Sequence, residues 1–197
     1  MKKALICTTT AAEGDRLKIM LSELGFAEIL ESTSGERAVS LAADHYPEVA
    51  IIDTAASGNG WPHTVASITE KFRIPVILVG SAVSADSIDQ GIAAGAGGFL
   101  MKPLRKEELW PAIEIAAMHN HELVELKEKV AMLEGALESR KVVERAKGVV
   151  MRSKAMSEPD AFRWMQKLAM DKRTTLVKIA EAILLTEGGA AMTDAKR

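Results

Sequence analysis

Five short apolar runs punctuate the first 121 residues: ALIC (4–7), EILES (28–32), VAIID (49–53), PVILVG (75–80) and GGFLM (97–101). This recurrence constrains the fold more than any other feature of the chain. Short apolar runs bounded by polar residues or glycine are expected of strands buried on both faces of a parallel sheet. Helical patterns fill the intervals. DRLKIMLSELG carries Leu17, Met20, Leu21 and Leu24 inward and stops at Gly25, while SGERAVSLAADH opens at Ser34 with Val39, Leu41 and Ala42 inward. SADSIDQGIAAG and KEELWPAIEIAAMHN complete the set. Strands alternating with such helices specify an α/β fold, a five-stranded parallel doubly wound sheet with helices on both faces.

Composition narrows the function classes. Hydrophobic residues make up 48% of 197, enough for a sizeable core. No apolar run approaches the roughly 20 residues of a membrane span, and the four residues before Thr8 are too few for a secretory signal. The expectation is a cytoplasmic protein without a membrane partner. A single cysteine, Cys7, excludes an internal disulfide. The four histidines, His45, His63, His119 and His121, show no metal-site spacing. Charge is unevenly distributed. Residues 1–121 hold 10 Lys+Arg against 15 Asp+Glu, 122–138 hold 2 against 5, and 139–187 hold 11 against 6. An acidic part followed by a basic one points to an anionic partner such as nucleic acid at the second.

In open parallel sheets, ligands and chemistry gather outside the carboxyl ends of the strands. There the sequence places Thr8, Thr9 and Thr10 after the first run, Asp53 at the end of the third, Gly80-Ser81 after the fourth and Lys102-Pro103 after the fifth. Asp53 and Lys102 on neighbouring strand ends would lie within salt-bridge reach. Taken together, AIID (50–53), IPVILVGSA (74–82), GAGGFLMKPL (95–104) and the closing EELWPAIEIA resemble the receiver domain of bacterial two-component response regulators, with its flavodoxin/CheY-like fold. The resemblance covers residues 1–121. It implies that Asp53 is the phosphoacceptor candidate, that Lys102 contacts the phosphoryl group across a cis Lys102–Pro103 bond, and that Phe99 is the switch aromatic, with Ser81 in support. It also implies a Mg²⁺ site built on two acids after the first strand, where this chain has Thr8 and Thr9. Glu13 and Asp15 are expected to begin the first helix and point elsewhere. Gly80 stands where the family has a hydroxyl residue, with Ser81 one later. The expectation is therefore a pseudo-receiver without a cofactor, switched by a binding partner or serving as a dimer scaffold, with Mg²⁺-dependent phosphorylation of Asp53 as the alternative. GAGGFL lacks the third glycine of a dinucleotide-binding loop and lies late in the domain, so neither a nucleotide cofactor nor an enzyme is expected.

From residue 122 the chain reads ELVELKEKVAMLEGALESRKVVERAKGVVM. Leu123, Leu126, Val130, Leu133 and Leu137 follow 3-4-3-4 spacing, the a and d positions of a coiled coil. In a parallel pair Glu122 would meet Lys127 of the partner, and Lys129 would meet Glu134. Such exposed pairs select orientation more than they stabilise. We expect 122–138 to be a dimerising linker helix.

Beyond Ser139 the apolar stripe widens through Val142, Val143, Ala146, Val149 and Val150, as in a small bundle. Ser157-Glu158-Pro159-Asp160 is a helix start, and TLVKIAEAILL is expected to end at Gly188-Gly189. This gives an all-α three-helix domain over 139–190 and a flexible tail over 191–197. SRKVVERAKGVVM followed by SEPDAFRWMQKLAMDKRTTLVKIAEAI resembles the ANTAR domain, the RNA-binding module of the AmiR and NasR antitermination regulators. The marks are Ala146-Lys147-Gly148, Ala161-Phe162, Ala169-Met170 and Ile179-Ala180. The resemblance implies a homodimer that binds paired hairpins in nascent mRNA leaders, under a sensor kinase or a ligand-sensing regulatory protein. Candidate RNA-binding residues are Arg140, Arg145, Lys147, Gly148, Arg163, Lys167, Lys172 and Arg173, with Trp164 available to stack on a base. The alternative is a DNA-binding response regulator whose segment 157–187 acts as a helix-turn-helix. Against it, the last helix offers only Lys178 as a base-reading cation.

Overall fold

The computed structural model describes the backbone of residues 2–56, 58–82 and 84–194, and the side chains among them except at 59 and 187–194. Five strands form one parallel sheet: β1 (Lys2–Cys7), β2 (Phe26–Ser32), β3 (Val49–Asp53), β4 (Val76–Gly80) and β5 (Gly98–Met101), in the order β2-β1-β3-β4-β5. The register sets Leu5 beside Leu30 and Ala50, and Leu78 beside Ile52 and Phe99.

Because strand side chains alternate faces, the apolar runs divide into two cores. Leu5, Cys7, Ala50, Ile52, Val76 and Leu78 pack with Ala38, Leu41 and Ala42 of α2 (Gly35–His45) and with Trp61, Val65 and Ile68 of α3 (Trp61–Phe72). On the other face Ala4, Ile6, Val49, Ile51, Ile77 and Val79 pack with Leu17 and Leu21 of α1 (Ala11–Glu23) and with Leu109, Ile113 and Ala116 of α5 (Lys106–Lys154). The remaining helix before α5 is α4 (Ala85–Ala93), opened by a Ser84–Ser87 capping box. The expected doubly wound sheet is present.

Three expectations need correction. Helix α3 escaped the sequence reading because its buried face includes Thr64 and Ser67 beside Val65 and Ile68, which blurs the apolar period. The closing helix and the connecting segment expected at 122–138 belong to one continuous element, α5. The last helix, α7 (Leu176–Asp194), does not stop at Gly188-Gly189. Of the expected tail, 191–194 continue α7 and 195–197 lie outside the described residues.

The chain divides into two compact units, Met1–Leu126 and Lys127–Arg197. In the second, the C-terminal part of α5, α6 (Glu158–Asp171) and α7 share a core of Val143, Ala146, Val150, Ala161, Met165 and Ala180. Ser157 caps α6 by accepting from the Asp160 amide, with proline in the first turn.

Candidate functional site

The carboxyl edge of the sheet gathers the first site. Thr10 caps α1 by accepting from the Glu13 amide, and this fixes Glu13 at the third helical position, directly above the end of β1. An acid there commonly reaches back to the cap amide. Here it reaches across the site instead. The Lys102 ammonium donates to Glu13 Oε1 at 2.6 Å and to Asp53 Oδ2 at 2.7 Å. The Thr9 hydroxyl lies 3.3 Å from Glu13 Oε2 and 3.4 Å from Asp53 Oδ2. The other Asp53 oxygen accepts the Ala55 amide at 3.0 Å. Thr8 is buried and turns its hydroxyl to the Thr10 carbonyl. The expectation that Glu13 points elsewhere is overturned. Asp15 does turn away and pairs with Lys18.

Asp53 is 1% exposed, and a polar group taken out of water in this way needs such partners. Burial works to lower the Lys102 pKa, but its hydrogen bonds to Asp53 and Glu13, with the charges of those carboxylates, outweigh burial and hold the ammonium above the ordinary lysine value. The site is therefore a closed triad of one cation and two carboxylates. Mg²⁺ takes oxygen ligands, in proteins a carboxylate or two plus phosphate and water. Both carboxylates present are already bound by Lys102, and the residues after β1 offer hydroxyls. Among the described residues no cluster of three His, Cys, Asp or Glu side chains could hold a metal ion. This donor set does not fit a resident Mg²⁺.

The neighbouring positions explain the displaced hydroxyl. A Cβ on Gly80 would stand 3.0 Å from Phe99 Cζ and 3.0 Å from Thr54 Oγ1. A side chain there would press on both, each having to give by a few tenths of an ångström. Ser81 is exposed and lines, with Arg16, Met20 and Leu104, a cavity of about 360 Å³ whose walls include Glu13, Asp53 and Lys102. Phe99 is half-buried against the first core, and the Lys102–Pro103 peptide is cis.

The five seam residues of α5 are all exposed: Leu123 51%, Leu126 56%, Val130 52%, Leu133 69% and Leu137 56%. In the single chain this stripe covers no core of its own.

The basic unit sorts the remaining candidates. Arg140, Arg145, Arg163, Lys167, Lys172 and Arg173 are exposed. Lys147 is not: it is buried, and its ammonium meets Glu144 Oε2 at 2.6 Å and Glu158 Oε1 at 2.7 Å. Its hydrogen bonds to Glu144 and Glu158 raise its pKa, and Lys147 in turn lowers that of Glu158. Lys147 thus ties α5 to the first turn of α6. Trp164 is half-buried against the bundle core, and the Lys154 ammonium covers its ring at 4.7 Å from the centroid. Gly148 lies within α5, where glycine costs about 1 kcal/mol relative to alanine. A Cβ there would meet only Arg152 Nη1, at 3.7 Å.

Comparison with known proteins agrees with both units. Residues 6–114 match the response regulator receiver domain, and residues 131–184 match the ANTAR domain. The transcriptional regulatory protein PdtaR of Mycobacterium tuberculosis (strain H37Rv) is 36% identical over 187 residues, covering 95% of this chain and 91% of that protein. The nitrate regulatory protein of Klebsiella oxytoca is 45% identical over 64 residues, 32% of this chain and 16% of that one. Among solved structures, the signal receiver domain of a modulated diguanylate cyclase from Desulfovibrio desulfuricans G20 is 25% identical, with a TM-score of 0.55 over 61% of this chain and 97% of that one. A CheY-like receiver domain protein from Methanospirillum hungatei JF-1 gives 18% and 0.56, over 62% and 98%. No described helix is long and apolar enough to cross a membrane. The chain belongs to the response regulators that join a receiver domain to an ANTAR domain, a family of transcription regulators rather than enzymes.

Proposed function

We propose that this regulator binds hairpins in nascent leader mRNA as a dimer and thereby promotes transcription through a terminator. The observation that carries the reading is the ANTAR match over residues 131–184, on a unit whose Arg140, Arg145, Arg163, Lys167, Lys172 and Arg173 all face solvent. Phosphate contacts from such cations supply affinity, and loop bases supply specificity. The exposed apolar seam of α5 supports a parallel coiled-coil dimer. Lys147, held by two carboxylates, acts in this reading as a positioning residue for α6 rather than as a phosphate ligand.

Control of the receiver departs from the Mg²⁺-dependent phosphorylation of the family. Thr8 and Thr9 replace the metal-binding acids, and the triad already neutralises Asp53 without a metal. The signal then comes from a protein partner, a sensor kinase engaging the receiver surface or a ligand-sensing regulatory protein.

The deciding experiment is retention of labelled hairpin RNA against duplex DNA of matched length, with the RNA drawn from transcripts that co-purify with the protein. Preference for the hairpins supports the reading, and tight sequence-specific duplex DNA binding without hairpin binding refutes it. Leu126→Glu with Leu133→Glu is expected to give monomers in sedimentation; a persisting dimer would place the interface elsewhere. Incubation with a small phosphodonor and Mg²⁺ is expected to leave Asp53 largely unlabelled, and stoichiometric labelling would restore ordinary receiver chemistry.

A further inference from the structure

The RNA-binding reading leaves open which surface the RNA lies against, and Gly148 supplies an answer. An interior glycine weakens a helix, so its presence calls for a reason within the protein or outside it. Nothing within the described chain requires it. The Cβ of an alanine would make one ordinary contact, with the guanidinium of Arg152 at 3.7 Å. Residues three and four apart share a helix face. The neighbours of Gly148 on its face are therefore Glu144, Arg145, Met151 and Arg152; Glu144 is paired with Lys147, Met151 packs against the bundle core, and the two arginines are exposed. Neither makes an ion pair among the described residues, in contrast to Lys147 and Lys141, which are held by Glu144, Glu158 and Glu138. The result is a half-buried stretch of helix backbone without a side chain, with the Arg152 guanidinium beside it and Arg145 one turn before, neither in an ion pair among the described residues.

We propose that the sugar–phosphate backbone of the RNA seats directly on α5 at Gly148, with Arg145 and Arg152 gripping phosphates on either side. The inference rests on the RNA-binding reading and deepens it, adding Arg152 to the contact set and assigning Gly148 a steric role. About 10 Å of helix axis separates the two arginines, and their long arms reach inward from both ends to neighbouring phosphates. Guanidinium groups match phosphate oxygens in pairs. Without a side chain at 148, a ribose or phosphate reaches van der Waals contact with the helix backbone itself. A second copy of the chain fits this spot less well. Docked about a two-fold axis, it would bring Arg145 and Arg152 against their own equivalents.

The test uses the full chain and a labelled tandem-hairpin RNA with randomised loops, enriched by selection on the wild-type protein. Gly148→Ala is expected to leave the melting temperature unchanged or raise it and to weaken RNA binding about tenfold, with Gly148→Leu weaker still. Arg145→Gln and Arg152→Gln should each weaken binding about tenfold and make the salt dependence shallower. Affinity within twofold of wild type in Gly148→Ala would overturn the proposal. So would a clear fall in melting temperature, because the glycine would then serve internal packing. A changed sedimentation coefficient with unchanged RNA affinity would assign the patch to the dimer instead. If the wild-type chain enriches no RNA at all, the function proposed above fails first, and the two failures are thereby distinguished.

Discussion

Two lysines in this chain make the same arrangement in different surroundings. Lys102 bridges Glu13 and Asp53 at the edge of the sheet, and Lys147 bridges Glu144 and Glu158 in the helical unit. Side-chain exposures are 18% and 11% for the lysines, but 2% for Asp53 against 54% and 63% for Glu144 and Glu158. The carboxylates make the difference. A buried acid cannot turn to water when its cation is removed, so breaking the pair strands a charge. Exposed acids are solvated at once, and salt screens what remains. The first lysine fixes a site. The second is a clasp that sets the position of α6 at little energetic gain.

Removing Lys102 should therefore give the largest effect. Lys102→Met is expected to cost about 3 kcal/mol of stability, measured by denaturant unfolding; a loss below about 1 kcal/mol would erase the contrast. Thr9→Asp comes next. It adds a third acid beside Asp53 and should lower stability, and added Mg²⁺ should then restore it. No response to Mg²⁺ would show that acids alone do not rebuild a metal site here. Lys147→Met should give a still smaller loss that vanishes in high salt, and a loss that survives high salt would show the clasp to be more than a screened surface contact.

Both lysines have raised pKa values and share one alkaline pH dependence, and the helical unit adds an acidic one through Glu158. The raised pKa of Lys102 means its contribution is complete below the ordinary value of 10.5 and is lost as pH rises through the raised one. The lowered pKa of Glu158 has the opposite sign. Its contribution is present above 4.5 and is lost as pH falls through the lowered value, a change that Glu158→Gln should remove from the stability profile. The smallest effect concerns Arg173, which follows α6 in the left-handed region at φ 50°. Arg173→Gly should raise stability by about 0.5–1 kcal/mol while weakening RNA binding. A loss of stability would show that the arginine side chain itself holds the turn.

The strands were legible because their alternation is local: each apolar run divides its residues between two cores, as period two requires. Helix α3 was not, since Thr64 and Ser67 occupy inward positions where hydrophobic residues were sought. The first site was half legible. Asp53 and Lys102 stand at strand ends, which the topology brings together. Glu13 was missed because its reach depends on where α1 begins. The signal was present in Thr10, which caps α1 and so lifts an acid in its first turn over the strand ends. Lys147 shows the reverse. Its neighbour Glu144 is visible three residues away, but Glu158 is brought to it only by the turn between α5 and α6, so a cation expected to be free is engaged.

The crowded backbone at Gly80 bears on how this receiver could change. Restoring acids at 8 and 9 takes two substitutions at positions whose side chains already border the site. A hydroxyl residue at 80 is another matter, because its Cβ would press on Phe99 and Thr54 together. Both neighbours would have to give by a few tenths of an ångström, and how readily they move together decides the cost. A hydroxyl residue at 80 therefore depends on compensating changes at Phe99 or Thr54, whereas positions 8 and 9 can be altered one at a time.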